Sequence, residues 1–344
     1  MDMMRGVVFV GDGRVEVRQF PRPQPTGTQV LVAMRAAGLC GSDMHPFRNP
    51  PAYWAEAPII RGHEPSGVVA QVGEAVSMVA VGDRVSVYHA PACNHCEACA
   101  RGEFFNCTTI GPGYRLASLK VHGADADYLL VDQNVCLRLP DALSFEDGAI
   151  IACAGGTAYH ALRRADLRAG EVVLVSGLGP VGLCAVKLAS AMGGIVIGAD
   201  PVAYRRDLAL HHGARFGLDP TAAPLAEQVQ TIDDQGADVV IETSGNDQAR
   251  IDVLPCTPYH ARLVYVGWGG NARNATLGPM LGERWVTGSN MFTAQDYYAL
   301  VRFMLRMGLR FDELVTHRFA LDEAQRAFDT FATRETGKVM FTWA

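Results

Sequence analysis

Short apolar stretches separated by turn residues run through the first part of the chain, in the pattern of β-strands. Residues 7–10 and 15–17 are mainly apolar and flank the sequence G-D-G, a combination typical of a β-hairpin. Residues 30–35 and 68–72 continue the same alternation of short strands and turns. The pattern therefore predicts a β-rich unit in this part of the chain.

The spacing of the apolar residues changes after residue 170. It there predicts a strand, a glycine-rich turn, a helix and a second strand in succession. The spacing G-x-G-x-x-G alone is a weak signal. With a strand before it, a helix after it and an acid at the end of the next strand, it is a dinucleotide-binding fingerprint, whose glycines let a pyrophosphate approach the helix N-terminus. Apolar strands at 237–242 and 262–267, with helical stretches between them, predict a doubly wound α/β domain. The turn residues are Gly177, Gly179, Pro180, Val181 and Gly182.

The acid at the end of the second strand is Asp200. A carboxylate there hydrogen-bonds both hydroxyls of an adenosine ribose and repels a 2′-phosphate, so NAD is favoured over NADP. Arg205 and Arg206 follow closely in the sequence and leave NADP open, because guanidinium groups bind phosphate.

The composition is that of a globular protein and excludes several classes. The 344 residues are 49% hydrophobic and 19% charged, which suits two domains with sizeable cores. No run approaches the length of a membrane span and the N-terminus lacks a cleavable signal, so we expect a cytoplasmic protein without membrane contact. The net charge of −6 argues against a nucleic-acid partner.

Nine cysteines in a chain without an export signal indicate metal binding or catalysis rather than disulfides. Four of them are separated by two, two and seven residues, which lets four thiolates converge on one centre and leaves no open coordination position. This spacing predicts a structural zinc; an iron–sulfur cluster is the alternative, weakened because no proline follows the fourth cysteine. The four are Cys93, Cys96, Cys99 and Cys107, whereas Cys136, Cys184 and Cys256 lie in apolar stretches and are expected in the core.

A second metal site is indicated by Cys40 and His63, which offer the thiolate and the imidazole that zinc prefers. Each adjoins a glycine, where the backbone can approach a ligand closely. A buried thiol and an unrelated surface histidine are the alternative. Candidate proton carriers and hydrogen-bond acceptors lie within a few residues of the two ligands: Ser42, Asp43, His45 and Glu64.

The motifs C-G-S-D-M-H and G-H-E, the four-cysteine segment and the glycine fingerprint follow one another along the chain. In these motifs the sequence resembles the zinc-containing medium-chain alcohol dehydrogenases, the superfamily that includes sorbitol and threonine dehydrogenases. The resemblance covers nearly the whole length, as far as T-G-K-V near the C-terminus. It implies an α/β protein made of a GroES-like β-rich catalytic domain and a doubly wound Rossmann cofactor domain. We expect the catalytic domain at 1–154 and 290–344, with a zinc lobe at 93–107, and the cofactor domain at 155–289.

The resemblance also implies a third ligand to a catalytic zinc, just before the cofactor domain. Cys153 stands at that place, where sorbitol and threonine dehydrogenases carry a glutamate; a plain core cysteine is the alternative. By the same resemblance Ser42 takes the proton of the alcohol and His45 passes it to solvent, with a ribose hydroxyl of the cofactor between them. A simple turn residue is the alternative for Ser42.

Further residues are expected around this centre. Asp43 is expected to accept a hydrogen bond from the free ring nitrogen of the histidine ligand, and by resemblance Glu64 lies behind the zinc. The substrate pocket is expected to include Tyr53, Trp54 and His89. Liver-type relatives have an apolar aromatic residue at the place of His89, so this polar side chain suggests a substrate with a second hydroxyl, amine or carbonyl.

On the cofactor side, the resemblance implies that Val181 packs behind the nicotinamide, that Thr157 faces it, and that the loop at Gly267 approaches its amide. By the same resemblance Arg205 is expected to lie against the adenosine. Lys338 matches a basic partner of the pyrophosphate, and an ordinary surface lysine is the alternative.

Together these expectations describe a zinc-dependent enzyme that transfers hydride between an alcohol and NAD. The alcohol is a secondary alcohol, a polyol or an amino alcohol bound between the domains, and each chain carries two zinc ions. A homodimer or homotetramer is expected, with E-R-W-V-T-G-S-N-M-F as an edge strand. An NADPH-preferring aldehyde or ketone reductase is the alternative within the superfamily, whereas zinc-free reductases lack the three zinc ligands. A non-catalytic binding protein is the alternative from another class, but it predicts damaged ligands or glycines, and the sequence retains all of them.

Overall fold

The structure is a computed structural model, and it describes residues 2–49, 59–110, 121–269 and 283–344. The strands are β1 (Met3–Gly11), β2 (Arg14–Pro21), β3 (Gln29–Gly38), β4 (Pro65–Val72), β5 (Arg84–Val87), β6 (Tyr128–Asp132), β7 (Cys136–Arg138), β8 (Val172–Ser176), β9 (Ile195–Ala199), β10 (Phe216–Leu218), β11 (Val239–Glu242), β12 (Arg262–Tyr265), β13 (Trp285–Gly288), β14 (Val315–Phe319) and β15 (Lys338–Thr342). The helices are α1 (Met44–Arg48), α2 (Glu97–Ala100), α3 (Phe145–Ile150), α4 (Gly156–Arg164), α5 (Pro180–Ala191), α6 (Ala203–His211), α7 (Leu225–Gln230), α8 (Asp247–Asp252), α9 (Ala294–Met307) and α10 (Ala324–Ala332).

The chain forms two units, one made of Met1–Gly156 with Phe292–Ala344 and the other of Thr157–Met291. In the first unit, six strands are hydrogen-bonded in the order β14-β15-β3-β4-β5-β7, and β6 also pairs with β3. Val30, Leu31 and Val32 are fully buried, because β3 runs through the interior of this sheet. The β-rich character that the alternating pattern predicts is therefore present.

The predicted hairpin at the start of the chain is formed by β1 and β2, which pair in antiparallel fashion. Its turn needs three successive positive φ angles, 89° at Gly11, 53° at Asp12 and 74° at Gly13. Glycine adopts this conformation without strain and aspartate tolerates it. The sequence G-D-G is thus what the local backbone requires.

The second unit is a six-stranded parallel sheet in the order β10-β9-β8-β11-β12-β13. Counted along the unit, this is the order 3-2-1-4-5-6 of the doubly wound dinucleotide-binding fold. Val173, Leu174 and Val175 of β8 are fully buried, as expected for a strand covered on both faces. The order of the strands reverses between β8 and β11, and ligands of this fold bind at that point, beyond the carboxyl ends of the strands.

The amphipathic pattern at 297–307 predicts a helix, and α9 begins earlier, at Ala294. The reason is a capping box, in which Thr293 Oγ1 accepts the N–H of Asp296 and Asp296 Oδ2 accepts the N–H of Thr293, both at 3.0 Å. The helix ends at Gly308, whose φ of 63° is left-handed.

Among the described residues, none of the helices combines the length and the apolar character that a bilayer crossing needs. The cellular location stays a prediction.

Candidate active site

Cys40 and His63 are brought together by the pairing of β3 with β4. The end of β3 lies opposite the start of β4 in antiparallel register, and the N–H of Gly38 donates to the carbonyl of Glu64 at 3.1 Å. The residues that follow β3 therefore lie beside those that precede β4. Gly62, before the histidine, has a φ of 89°, so the turn at this point needs glycine.

Cys153 lies in one turn of π-helix, Ile151–Gly155, which follows α3. A π-turn contains one residue more than an α-turn and occurs frequently at functional sites. The ligand atoms of Cys153, Cys40, His63 and Glu64 all lie within 4.8 Å of one another. The structure thus brings the three predicted ligands together, and a donor set of two thiols, an imidazole and a carboxylate fits a zinc ion.

In this cluster the pKa values of the two thiols and of the imidazole depend on one another. A hydrogen bond between Cys153 and Cys40 lowers the pKa of Cys40 well below its usual value and raises that of Cys153. Burial alone lowers the pKa of His63, but the nearby charges of Asp43 and Cys40 outweigh it and raise this pKa well above its usual value. A bound dication replaces the protons of these groups, so metal binding at this cluster releases them.

Asp43 supports two of the candidate ligands at once. Its Oδ1 lies 3.1 Å from His63 Nδ1, the contact that the sequence predicts. Its Oδ2 accepts the backbone N–H of Cys40 at 2.9 Å. Because Nδ1 is engaged by the carboxylate, Nε2 is the nitrogen of His63 that is left to bind a metal.

Glu64 is fully buried beside the cluster and forms an ion pair with Lys338. Lys338 Nζ also donates to the carbonyl of Leu39 at 2.7 Å, and its side chain is only 1% exposed. The alternative that Lys338 is a surface lysine is therefore wrong, and its contact with a pyrophosphate stays a prediction. Burial raises the pKa of Glu64 to about 7, and the positive charge of Lys338 opposes the rise.

The two predicted proton carriers lie on the short segment that follows Cys40. Ser42 Oγ lies 3.4 Å from His63 Nε2, so the hydroxyl is beside the nitrogen that faces a metal. His45 is exposed, and the side-chain amide of Asn49 lies 3.2 Å from its Nδ1. Because that amide nitrogen only donates, Nδ1 accepts and the proton of a neutral His45 is on Nε2.

His89 lies next to the cluster, with its ring centre 5.2 Å from that of His63. Its Nδ1 donates to the carbonyl of Ala152 at 3.0 Å, which leaves Nε2 as a hydrogen-bond acceptor. Burial, helped by the charge of His63, lowers the pKa of His89 to about 3, so the ring is neutral near pH 7. Tyr53 and Trp54, the other predicted pocket residues, lie outside the described residues.

The four-cysteine segment forms a second cluster, in which the sulfur atoms lie within 4.8 Å of one another. Cys93 Sγ is 3.8 Å from Cys99 Sγ, and Cys96 Sγ is 3.9 Å from Cys107 Sγ. A tetrahedron with zinc–sulfur bonds of about 2.3 Å has edges of about 3.8 Å. The segment therefore fits a four-sulfur zinc, and Asn94 makes its tight turn with a φ of 63°.

The glycine fingerprint forms the turn between β8 and α5. Gly177 has a φ of 86°, and a Cβ at Gly182 would overlap the carbonyl of Gly177. Gly179 precedes α5 and Pro180 is its first residue, where proline is well tolerated. These features fit a turn that lets a pyrophosphate approach the helix N-terminus. Three further predicted cofactor residues lie in this unit: Thr157 at the start of α4, Val181 in α5 and Gly267 after β12.

Asp200 directly follows β9, and its carboxylate accepts backbone N–H groups from the glycine turn and from its own turn. Its Oδ2 accepts the N–H of Leu178 at 2.8 Å and its Oδ1 accepts the N–H of Val202 at 2.9 Å. Arg205 Nη1 lies 3.9 Å from Oδ2, and Arg206 donates to the Asp200 carbonyl at 2.8 Å. The carboxylate that favours NAD and the guanidinium groups that can bind a phosphate therefore lie at the same place.

Two charged residues are buried near the cluster of candidate zinc ligands, and their burial is not predicted from the sequence. Arg61 is 4% exposed and Asp125 is 1% exposed, and a Cβ at Gly62 would overlap the Asp125 carboxylate. Burial raises the pKa of Asp125 well above its usual value, and the charge of Asp43 adds to this effect. For Arg61, the position directly before G-H-E is a signal that could have indicated its place beside the cluster. Nothing in the sequence near Asp125 indicates that it is buried.

Comparisons with known proteins identify the family. The profile of the alcohol dehydrogenase GroES-like domain matches residues 26–141, and that of the zinc-binding dehydrogenases matches residues 180–306. The chain is 33% identical to the uncharacterized zinc-type alcohol dehydrogenase-like protein YphC of Escherichia coli, over 100% of this chain and 99% of that protein. It is 31% identical to the sorbitol dehydrogenase of Bacillus subtilis, over 95% and 93%. A zinc-binding dehydrogenase of Sinorhizobium meliloti, solved with bound NADP, has a TM-score of 0.88 and 26% identity, over 100% of both chains.

These matches confirm the predicted resemblance and the predicted fold class, a GroES-like part and a Rossmann-like parallel sheet. They identify an oxidoreductase of a zinc-binding family that uses a nucleotide cofactor and a small-molecule substrate. Taken with the two cysteine-containing clusters and the strand order of the second unit, they show that the chain belongs to the zinc-containing medium-chain alcohol dehydrogenase superfamily.

Proposed function

We propose that the protein oxidises a secondary alcohol, a polyol or an amino alcohol to the ketone or aldehyde, with NAD as hydride acceptor. The observation that carries this proposal is the cluster of Cys40, His63 and Cys153 with Glu64, whose ligand atoms lie within 4.8 Å of one another. A catalytic zinc needs three protein ligands and one open position. The four-cysteine cluster would hold a second, structural zinc, which gives two ions per chain.

The chain's own residues hold and orient the metal centre. Zinc, when bound, supplies Lewis-acid chemistry that lowers the pKa of an alcohol hydroxyl. Cys40, His63 and Cys153 are its proposed ligands, and the carboxylate of Asp43 fixes the ring of the histidine. Lys338 balances the charge of Glu64, so the buried carboxylate adds little net negative charge around the ion.

A bound nicotinamide would supply the acceptor for a hydride from the carbinol carbon, and the hydroxyl proton would have to leave by a separate route. Ser42 Oγ, beside His63 Nε2, is placed to accept that proton while it passes its own hydroxyl proton on. The exposed ring of His45 is placed to release a proton to solvent.

NAD is the proposed cofactor because Asp200 directly follows β9, where its carboxylate would repel a 2′-phosphate. Gly177, Gly179 and Gly182 accommodate the pyrophosphate, and Arg205 lies against the adenosine. An aldehyde or ketone reductase that prefers NADPH is the second candidate. It is favoured by the NADP in the Sinorhizobium meliloti structure and by Arg205, which lies 3.9 Å from Asp200.

The substrate class follows from His89. A neutral imidazole whose Nδ1 is engaged by a backbone carbonyl presents Nε2 as an acceptor. A second hydroxyl or an amine on the substrate would satisfy it, whereas a simple alcohol would leave it unpaired. The relative from Bacillus subtilis is a sorbitol dehydrogenase, which agrees with a polyhydric substrate.

A homodimer or homotetramer is proposed from the resemblance. The strand β13 is last in the order of the parallel sheet among the described residues, and its Trp285 is 51% exposed. The mass of the protein in solution distinguishes the two assemblies from a monomer.

The proposal predicts alcohol-dependent reduction of NAD by protein that contains about two zinc ions per chain. A panel of diols, polyols and amino alcohols is compared with matched simple alcohols by kcat/KM, at one pH and with zinc determined on the same samples. We expect at least about tenfold higher kcat/KM for substrates with a second polar group, because a buried acceptor then keeps its partner.

Each arm of this experiment can contradict one part of the proposal. A clear preference for simple alcohols would remove the role of His89, and a preference for NADPH would favour the reductase. Zinc-replete protein that oxidises none of the alcohols with either cofactor would contradict the enzymatic function itself.

A further inference from the structure

Glu242, the last residue of β11, fixes two turns of the dinucleotide-binding unit. Its side chain is fully buried. Oε1 accepts the N–H groups of Ser244 at 2.7 Å and Gly245 at 3.1 Å, and also the hydroxyl of Ser244. Its backbone carbonyl accepts the N–H groups of Val266 at 2.8 Å and Gly267 at 3.0 Å. One residue thus anchors both the turn after β11 and the segment after β12.

The two turns are in direct backbone contact. Gly245 has a φ of 65°, and a Cβ there would overlap the carbonyl of Trp268. A Cβ at Gly267 would overlap the N–H of Gly245. The loop 266–269, which we call the β12 loop, therefore rests on the turn that Glu242 holds.

Arg250 on α8 contacts both the β12 loop and the side chain of Glu242. Its Nη2 donates to the carbonyl of Gly267 at 2.7 Å, and its Nε faces Glu242 Oε2 at 3.6 Å. The hydroxyl of Tyr265, the last residue of β12, donates to the backbone carbonyl of Arg250 at 3.2 Å. The guanidinium is largely buried, with 15% of the side chain exposed, so its hydrogen bond to the loop is shielded from water.

The geometry points to Arg250 as a positioning residue for the nicotinamide end of the cofactor, acting through the β12 loop. This inference rests on the proposed function and on the expectation, implied by the resemblance, that the loop at Gly267 approaches the nicotinamide amide. Glu242 holds the N–H groups of the loop and Arg250 holds the carbonyl of Gly267, so the orientation of that peptide is fixed before the cofactor arrives. A loop fixed in advance loses less conformational entropy when the cofactor binds.

The structure offers a matched control in Arg262, at the opposite ends of the same strands. Arg262 begins β12, donates to the carbonyl of Asp166 at 2.8 Å and to Glu171 at 2.6 Å, and has 17% of its side chain exposed. Both arginines therefore donate to one carbonyl and form an ion pair with one carboxylate at similar burial, and the pair is longer for Arg250, at 3.6 Å, than for Arg262, at 2.6 Å. They differ in that Arg250 lies at the carboxyl ends of the strands.

The test compares Arg250→Met, Arg250→Lys and Arg262→Met in the full-length zinc-loaded protein, with binding followed by NADH fluorescence. We expect Arg250→Met to raise the Kd for NADH and the KM for NAD about tenfold, which corresponds to one hydrogen bond to a charged group. The kcat at saturating NAD and the zinc content stay close to those of the wild type. Arg250→Lys recovers part of the loss because an ammonium reaches the Gly267 carbonyl, and Arg262→Met leaves the Kd unchanged.

Hydrogen exchange of the cofactor-free protein tests the positioning without any ligand. We expect faster exchange at the amides of the β12 loop in Arg250→Met than in the wild type and in Arg262→Met. Unchanged exchange together with unchanged Kd in Arg250→Met, or equal effects in both methionine variants, would overturn the inference. Wild-type protein that binds neither NADH nor NADPH would overturn the proposed function and the cofactor role of Arg250. In that case the hydrogen-exchange rates would still show whether Arg250 orders the β12 loop.

Discussion

At the scale of single residues, Asp43 shows how one carboxylate can organise the proposed metal site. It binds the ring nitrogen of His63 and the backbone N–H of Cys40, two groups that belong to different segments of the chain. Groups of this kind set the tautomer of a histidine ligand and raise its basicity. Loss of the negative charge of Asp43 should therefore weaken zinc binding at this site.

We predict that Asp43→Asn lowers the affinity of the catalytic site for zinc by about 10–100-fold. The amide keeps the shape of the carboxylate, but its NH₂ group faces one of the two donors that Asp43 now satisfies. Competition with a chromophoric chelator measures the affinity, and kcat/KM should fall in parallel at limiting zinc.

The control is Asp296→Asn. Asp296 Oδ2 accepts the N–H of the residue three positions earlier, Thr293, at 3.0 Å, as Asp43 does with Cys40. Both substitutions remove the same kind of local bond, but Asp296 lies on α9 and belongs to neither metal cluster. Equal zinc affinity in the two variants would show that Asp43 has only a local structural role.

The sequence predicts the ligands better than it predicts their surroundings. Cys40 and His63 stand out because each occurs in a short motif that can be read locally. The burial of Arg61, Asp125 and Lys338 depends on contacts between distant segments, and charged residues are ordinarily found at the surface. The pattern of hydrophobic residues therefore predicts that such charged residues lie at the surface. Their burial becomes visible only from the contacts in the folded structure.

At the scale of elements, Asp127 joins three parts of the first unit. Arg5 of β1 donates to it from its backbone N–H at 2.8 Å and from its guanidinium at 2.8 Å, and Trp343 Nε1 donates at 3.1 Å. Burial alone raises the pKa of Asp127, but the hydrogen bonds from Arg5 and Trp343 outweigh it and lower this pKa below its usual value.

The lowered pKa gives a stability that depends on pH. A carboxylate with a depressed folded-state pKa stabilises fully above its unfolded-state pKa of about 3.9, and the stabilisation is lost as the pH falls through the folded-state value. We predict that Asp127→Asn lowers the free energy of unfolding by about 1–2 kcal/mol at pH 7. The difference from the wild type should shrink below about pH 4, as measured by urea unfolding over a pH series.

Asp141→Asn is the control for this series. Asp141 pairs with Arg84 at 3.2 Å, but its side chain is 96% exposed, and exposed ion pairs contribute little. We expect no resolvable change in the free energy of unfolding at any pH. A difference between wild type and Asp127→Asn that is constant from pH 7 to pH 3 would contradict the ionic origin of the effect.

Elements that depend on local sequence are predicted well, and those that depend on neighbours are not. The hairpin at G-D-G and the strand–turn–helix at residues 171–191 follow from turn chemistry and periodicity alone. The π-turn at Ile151–Gly155 is different, because its residues A-C-A-G continue an ordinary helical pattern. Its wider hydrogen bonding has no signature in the composition of the segment.

At the scale of the whole molecule, the proposed sites are divided between the two units. Both metal clusters lie in the first unit, and the glycine fingerprint with Asp200 lies in the second. The second unit has its own apolar core, which includes Leu174, Ile197 and Leu263. Loss of metal should therefore leave the dinucleotide site intact.

We predict that protein stripped of zinc binds NADH with an unchanged Kd but loses at least about a hundredfold in kcat/KM. Cys153→Ala should remove one zinc per chain together with activity. Cys107→Ala should remove the other zinc and lower the thermal midpoint, because a structural zinc contributes folding free energy. Metal analysis, fluorescence titration and thermal unfolding measure the three effects.

Cys184→Ala is the matched control. Cys184 is buried in the second unit and belongs to neither cluster, so this variant should keep both zinc ions and full activity. Loss of zinc from Cys184→Ala, or full activity in Cys153→Ala, would contradict the assignment of the ligands.

The first unit is discontinuous, and this has a consequence for biosynthesis. The end of β3 pairs with β15, so that Gly38 lies opposite Met340, and the counter-charge of Glu64 is Lys338. Both partners leave the ribosome only after the entire inserted parallel sheet. During translation the nascent chain therefore lacks the partner strand of β3 and the counter-charge of Glu64 for most of its synthesis, and an open strand edge of this kind can pair wrongly. The parallel sheet contains no strand from the flanking segments, so the insert can form its own sheet before β15 has been made.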